Sequence, residues 1–364
     1  MRVLVITGSY PPAKCGVGDY TYCLVEQLSK IDGLSVAVIV QKNLSYEKSN
    51  SAVTVFDIVD RWRLLDFFAI RRVVRSWNPD VIHIQYPTQG YGRAILPWCL
   101  PALLELLGEK VVQTWHEGFE FLPRPIMSLK ALSSGPIVVV RKNYWDLFTG
   151  VTKHLNSIKK TIFIGSAPSI YASQKTEREL STLRRKHLGH EQERLIAFFG
   201  FIYPNKGVEQ IFEIADSARD RILLMGEFDR RRPYCRALED LSNEPDWSGK
   251  VEILGFVLPE AASDLIAASD AIVLPFPDGG GEWNTSILAA KVNGSFVLTT
   301  SKTRRGYYDS ENVYYARPGD IHELSAALDR YAGTKLNKRS SNYETEWRRV
   351  ADQHVELYQA YCAK

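Results

Sequence analysis

Short apolar runs alternate with helix-period segments along almost the whole chain. In the first half, uninterrupted apolar runs fall over 3–7, 35–40, 81–84, 110–114, 137–140 and 161–164. Between them, apolar positions three and four apart mark helices over 18–29, 62–76 and 94–107, with a weaker helical pattern over 144–157. Continuous apolar strands separated by helices predict a parallel sheet covered on both faces. The stretch 173–192 (SQKTERELSTLRRKHLGHEQ) is polar, charge-rich and without an apolar strand, and reads as a linker. The alternation then restarts, with strands over 195–199, 222–225, 251–253, 271–274 and 296–299 and helices over 207–217, 234–243, 259–268 and 285–292. A last helix places Trp347, Val350, His354, Leu357, Tyr358 and Tyr361 along one face.

The pattern therefore predicts an α/β protein of two doubly wound, Rossmann-like domains. They cover 1–172 and 193–341, are joined by 173–192, and are followed by a terminal helix in 342–364. Ligands of open parallel sheets bind outside the carboxyl ends of the strands. The expected site is a central cleft faced by both domains.

Length agrees with two domains, since 364 residues exceed what one core usually supports. A net charge of +3 is too weak to argue for nucleic acid, but it suits an anionic small ligand. The five cysteines are scattered and show no CxxC pair, so neither a zinc site nor a disulfide framework is indicated and a reducing cytosol fits. The most apolar later stretch, 94–108, contains Pro97, Pro101 and Glu105 and is too short to span a bilayer.

Several strand ends carry candidate chemistry. After the first strand, SYPPAKCGVGDYTYCLVEQL holds Gly16 and Gly18, with Asp19 in the opening turn of a helix. This is either a backbone approach to an anion at a helix start or a plain turn capped by Asp19. His116 and Glu117 follow the strand of VVQTWHEGFEF directly, where an imidazole can meet a substrate hydroxyl or act as an acid or base. Gln85 and Tyr86 end the strand of VIHIQYPTQGYGR and border the same edge, while His83 reads as a satisfied core residue.

In the second half, Gly200 follows a strand and Lys206-Gly207 opens a helix, placing an ammonium where it can neutralise a phosphate. Gly226 also follows a strand. In PFPDGGGEWNTSILAAKVNG, residues 275–294, the glycine run precedes Glu282, Asn284, Thr285 and Ser286. Free backbone amides at Gly280 and Gly281, with a helix capped at Thr285 or Ser286, make an anion site. No H-E-x-x-H motif, nucleophile elbow or paired carboxylates indicate a metalloprotease or a hydrolase.

Together these pieces resemble GT-B glycosyltransferases of glycosyltransferase family 4. The resemblance is carried in chain order by SYPPAKCGVGDYT, PDVIHIQY, TWHE, GFIYPNKGVE, LGFVLPEAASDLIAASDAIVLPFPDGG, NGSFVLTT and the closing WRRVADQHVELYQAY. It implies metal-independent sugar transfer from a nucleotide-diphosphate sugar with retention, without a cofactor, and a last helix crossing back onto the first domain. Carried over, Gly16 and Gly18 approach the donor diphosphate, His116 contacts the donor sugar and Lys206 neutralises the leaving diphosphate.

The chain departs from that pattern in two places. No Arg precedes Lys206 in Phe201-Ile202-Tyr203-Pro204. The positions of the family's glutamate pair hold Gly281 and Ala289, with Glu282 one residue off the first. The resemblance implies a glycan or lipid-linked acceptor, as in surface polysaccharide assembly. A non-catalytic nucleotide-sugar-binding subunit and a nucleotide-sugar epimerase are the alternatives. Arg61, Arg63, Arg71, Arg72 and Arg75 form a basic edge, read either as a peripheral membrane contact or as the solvated side of one helix whose apolar stripe is Trp62, Leu65, Ala69 and Val73.

Overall fold

The computed structural model describes residues 1–42, 52–117, 132–142, 144–147, 161–189, 193–336 and 343–363. The chain divides into two compact units, Met1–Ser166 with Thr345–Lys364, and Ala167–Glu344.

Unit 1 is built on a seven-stranded sheet. Its elements are β1 (Arg2–Ile6), α1 (Gly16–Ser29), β2 (Ser35–Gln41), β3 (Val53–Val59), α2 (Asp66–Trp77), β4 (Val81–Tyr86), α3 (Leu96–Glu105), β5 (Val111–Trp115), β6 (Ile137–Val139) and β7 (Thr161–Phe163). The strand order is β3-β2-β1-β4-β5-β6-β7, and the pairs are parallel. The central strands β1, β4 and β5 are buried along almost their whole length, which is why they read as unbroken apolar runs. The edge strand β3 is exposed on much of one side and its sequence, VTVFDIV, alternates; the run criterion passed over it. Of the helical pattern over 144–157, only Tyr144–Leu147 lies within the described residues, and it forms a 3-10 turn.

Unit 2 repeats the design. It contains α4 (Glu177–Leu188), β8 (Arg194–Phe199), α5 (Ile211–Ile214), β9 (Asp220–Met225), α6 (Pro233–Ser242), β10 (Val251–Gly255), α7 (Pro259–Ala268), β11 (Ala271–Leu274), α8 (Thr285–Val292), β12 (Val297–Thr300), β13 (Gly306–Tyr308), β14 (Val313–Ala316) and α9 (Ile321–Tyr331). The order is β10-β9-β8-β11-β12-β14-β13, parallel except for the β13–β14 pair. Sequence reasoning missed β13, β14 and α9. The two strands carry tyrosines (GYY, VYYA) in place of aliphatic runs.

The stretch 173–192 is not a linker. It holds α4, whose start is fixed by a capping box between Thr176 and Glu179. Leu180 and Leu188 are buried, and Leu180 packs with Ala267 and Ala268 of α7. The charged residues between these leucines hid an ordinary amphipathic helix, and the boundary between units falls earlier, at Ser166. The terminal helix, α10 (Tyr343–Cys362), buries Trp347, Val350, Ala351, His354, Leu357 and Tyr358, and Thr345–Lys364 forms part of unit 1.

The basic helix also departs from expectation. Trp62 lies outside α2, in a left-handed conformation (φ 55°), and the buried positions of α2 are Ile70, Val73 and Val74. Asp66 accepts from the backbone N–H groups of Arg61 and Arg63, so the helix begins there and not at Trp62. Leu64, Leu65 and Phe68 are left 59%, 77% and 61% exposed.

Candidate functional site

In unit 1 the strand order reverses between β1 and β4, the position where doubly wound sheets take ligands. The backbone is closely packed there. A Cβ on Gly90 would lie 1.7 Å from the carbonyl oxygen of Gly8, and the Gly90 N–H donates to Ser9 Oγ at 2.9 Å. Helix α1 begins at Gly16 behind Cys15, which provides no side-chain cap. Gly16 is exposed, whereas Gly18 is buried; a Cβ on Gly18 would meet the Ser9 carbonyl at 3.1 Å. Gly18 therefore lets the helix pack on the loop after β1. Asp19 sits in the first turn, and burial pushes its carboxyl up to about 7.

His116 follows β5 and is 7% exposed. Its Nε2 lies 2.8 Å from Gln85 Oε1. The Gln85 amide nitrogen lies 3.3 Å from His83 Nε2, His83 Nε2 lies 2.7 Å from Thr114 Oγ1, and His83 Nδ1 lies 2.6 Å from the Tyr358 hydroxyl. The ring of Tyr20 meets His116 edge-on at 4.5 Å and Trp347 at 5.1 Å. Gln85 is thus fully buried behind His116. Tyr86 is a correction. It is fully buried among Tyr91 and Trp98, its hydroxyl donates to the Pro97 carbonyl, and it faces the core instead of a ligand. Glu117 is exposed beside His116, and its carbonyl accepts from Tyr144 at 2.7 Å.

Burial also sets the protonation of this cluster. Desolvation brings His116 down to about 3 and His354 down to about 4, and holds His83 well below the usual histidine value. All three are neutral at pH 7. The alternation in VIHIQY, which puts His83 and Gln85 on one face, was the available signal for this network. Its partner Tyr358, near the end of the chain, had none.

In unit 2 the reversal falls between β8 and β11. Gly200 follows β8 with φ 146°, and a Cβ on Gly226 would lie 1.9 Å from the Gly200 carbonyl oxygen. A Cβ on Gly200 would lie 3.9 Å from Ser286 Cβ. Lys206 sits in a 3-10 turn, Pro204–Lys206, with its ammonium 5.4 Å from the centre of the Phe276 ring. Gly207 (φ 65°) lies where a Cβ would come within 2.4 Å of the Pro275 carbonyl oxygen. A Cβ on Gly280 would strike Phe276 at 2.6 Å. The structure therefore gathers Gly200, Gly226, Lys206, Gly280 and Ser286 at the carboxyl edge of one sheet.

The glycine loop itself differs from expectation. Gly279 N–H donates to Phe276 O at 3.0 Å, Gly280 N–H to Thr300 O at 2.7 Å and Gly281 N–H to Asn284 Oδ1 at 2.9 Å. These amides are satisfied internally and are not offered to an anion. The N-cap of α8 is Asn284 rather than Thr285 or Ser286, and its side chain makes no bond into the helix. The groups left for a ligand are the first-turn amides of α8 and the half-buried Thr285 and Ser286. Ala289 is sealed in the core. The space beside Gly281 is filled by Trp283, whose ring a Cβ would meet at 2.3 Å. Glu282 is exposed and acts electrostatically on Tyr315. Among the described residues no group of three or more His, Cys, Asp or Glu is placed to hold a metal ion.

No family model matches the chain, and no curated protein sequence matches it. Solved structures do. The chain is similar to sucrose-phosphate synthase (tll1590) from Thermosynechococcus elongatus, with a TM-score of 0.78 at 16% identity over 100% of both chains. It is similar to Anabaena Alr3699/HepE in complex with UDP and glucose, with a TM-score of 0.71 at 16% identity over 99% of this chain and 100% of that one. WaaG, a glycosyltransferase involved in lipopolysaccharide biosynthesis, gives a TM-score of 0.63 at 15% identity over 99% of this chain and 98% of that one. At such identity the likeness is one of fold. The chain has the two-sheet GT-B fold of these glycosyltransferases.

Proposed function

We propose that this protein is a retaining, metal-independent glycosyltransferase that moves a sugar from a nucleotide-diphosphate sugar to a glycan or glycolipid acceptor. The observation that carries the reading is the grouping of Lys206, Gly200, Gly226 and Ser286 where the strand order of unit 2 reverses. A cation, close backbone and a helix start together suit a diphosphate. HepE, of the same fold, was crystallised with UDP-glucose, which supports the same ligand class here.

In this reaction Lys206 and the start of α8 stabilise the charge that develops on the departing nucleoside diphosphate. Thr285 and Ser286 add hydroxyl donors to that end. His116 reads the donor sugar as a neutral imidazole. Asp19, in the first turn of α1, is assigned to the acceptor side. Release of nucleoside diphosphate from a nucleotide sugar tests the reading. A second reading, a nucleotide-sugar-binding subunit without transfer activity, is favoured by the occupied glycine amides and the buried Ala289. Binding without release supports it.

The acceptor proposed is lipid-linked, met at the cytoplasmic face of a membrane, as in surface polysaccharide assembly. No helix among the described residues is long and apolar enough to cross a membrane. Leu64, Leu65 and Phe68 instead lie exposed among Arg61, Arg63, Arg72 and Arg75, a combination that suits an anionic lipid surface. The protein is expected to sediment with vesicles containing phosphatidylglycerol and not with pure phosphatidylcholine. Leu65→Ser with Phe68→Ser is expected to weaken binding about tenfold or more, the scale of two apolar side chains leaving the interface. Equal sedimentation of the double variant removes this surface from the account.

A further inference from the structure

Three consecutive arginines, Arg230, Arg231 and Arg232, follow β9 and lead into α6, so they lie at the carboxyl edge of the unit 2 sheet, as Lys206 does. The first two are bound to carboxylates. Arg230 Nη2 lies 2.6 Å from Glu239 Oε1. Arg231 donates from Nε to Asp229 Oδ1 at 2.9 Å and from Nη2 to Asp229 Oδ2 at 3.0 Å.

Arg232 is held differently. Glu227 and Asp229 stand 3.7 and 4.0 Å from its nitrogens, beyond hydrogen-bond distance. Its guanidinium carbon lies 4.9 Å from the centre of the Tyr203 ring, and the Tyr203 hydroxyl also acts on it. Its Nη1 is buried with no hydrogen-bond partner among the described residues, yet the side chain is 36% exposed. A guanidinium carried on a ring face keeps its in-plane N–H groups for another partner. The protein thus places this cation without saturating its donors, and an unmade buried donor is costly unless a ligand takes it.

Tyr203 joins this cation to the other. Its carbonyl accepts from the Lys206 N–H at 2.9 Å, which closes the turn Pro204–Lys206, while its ring carries Arg232. The start of α6 is fixed to the same segment, since the Tyr234 hydroxyl accepts from the Val208 N–H at 3.0 Å and donates to Glu209. One cation comes from the loop after β8 and one from the loop after β9, where Gly200 and Gly226 bring the two backbones together.

We infer that Arg232 is a second binding cation for the ligand's diphosphate, placed by Tyr203 beside the turn of Lys206. A diphosphate carries more negative charge than one ammonium balances, and a planar guanidinium can hold two phosphate oxygens at once. Lys206 meets the charge that grows on the leaving group. Arg232 binds charge already present in the substrate, so its loss should raise KM more than it lowers kcat. That the diphosphate belongs to a nucleotide sugar rests on the function proposed above. The pair of cations rests on unit 2 alone.

Two probes test it separately. Calorimetry with UDP, ADP and GDP reads the nucleotide, and the melting-temperature shift caused by inorganic pyrophosphate reads the diphosphate without it. Arg232→Ala is expected to weaken the nucleoside diphosphate that binds wild type best by about tenfold or more, the scale of one charge-assisted hydrogen bond, and to reduce the pyrophosphate shift. Arg232→Lys keeps the charge, loses the flat face over Tyr203 and should recover part of both. Arg230→Ala removes an equal charge already paired with Glu239 and should leave both unchanged. The melting temperature of ligand-free Arg232→Ala should stay close to wild type, which separates lost binding from lost fold. Unchanged affinity in Arg232→Ala, or an equal loss in Arg230→Ala, overturns the inference. A pyrophosphate shift that depends on Arg232, with no nucleotide bound, upholds the cation pair and overturns the proposed function. Binding of neither probe to wild type overturns both.

Discussion

Replacing Lys206 with alanine is expected to lower kcat/KM by about 10²–10³, the range seen when one preorganised donor to a developing negative charge is removed. The loss should fall mainly on kcat, because the charge on the leaving diphosphate grows as the bond to the sugar breaks. Lys206 is half-buried, and its turn is held by Gly207 against the Pro275 carbonyl, so the ammonium has a fixed place above Phe276. Removing its side chain leaves that backbone contact untouched, and the fold should persist, as an unchanged melting temperature would show. Lys206→Arg keeps the charge in a larger, planar group and is expected to recover part of the rate. Steady-state release of nucleoside diphosphate is the measurement. Full activity in Lys206→Ala removes the residue from the catalytic role.

A steep loss of stability in mild acid is the second large effect. His83, His116 and His354 are buried and neutral, with values held below 6.5 by desolvation, reaching about 3 for His116 and about 4 for His354. The unfolded chain takes up protons as the pH falls through 6.5, while the folded cluster does not. Their stabilising contribution is therefore complete above 6.5 and is lost progressively down to about 3–4. Each ring removes about 1.4 kcal/mol per pH unit in that window, from a total stability on the order of 5–15 kcal/mol. The groups that act on these rings are mainly one another, so no carboxylate offsets the cost. Urea unfolding followed by tryptophan fluorescence is expected to show a midpoint that falls sharply between pH 6.5 and pH 5. His354→Leu should flatten that slope by about one proton, since it deletes a titrating ring whose Nε2 has no partner among the described residues. An unchanged slope contradicts the assignment.

Much of the fold was legible because parallel strands buried on both faces must be continuously apolar. β11, α7 and α8 fall where the pattern put them, at Ala271–Leu274, Pro259–Ala268 and Thr285–Val292. The failures fall on elements that are only partly buried, whose apolar positions are broken up by polar, charged or tyrosine residues. β3 is half-exposed at a sheet edge, and α4 buries Leu180 and Leu188 amid charges. For the candidate site, strand-end positions were legible in the sequence, and the contacts of the side chains were not. His116, Gln85 and Lys206 stand out as candidates from strand ends and a glycine. The glycine run suggested free amides, but their partners, Phe276, Thr300 and Asn284, become neighbours only in the folded loop. Tyr86 ends a strand as Gln85 does, yet its side chain points to the other face, into the core.

The central claim is transfer of a sugar from a nucleotide donor with its anomeric configuration kept. The most direct measurement incubates the purified chain with a panel of nucleoside-diphosphate sugars and a lipid-linked glycan acceptor, and follows the anomeric proton of donor and product by NMR. The account predicts loss of an α-linked donor signal and growth of an α-linked product, in step with nucleoside diphosphate release. Binding with no loss of any donor, or a β-linked product from an α-linked donor, contradicts it.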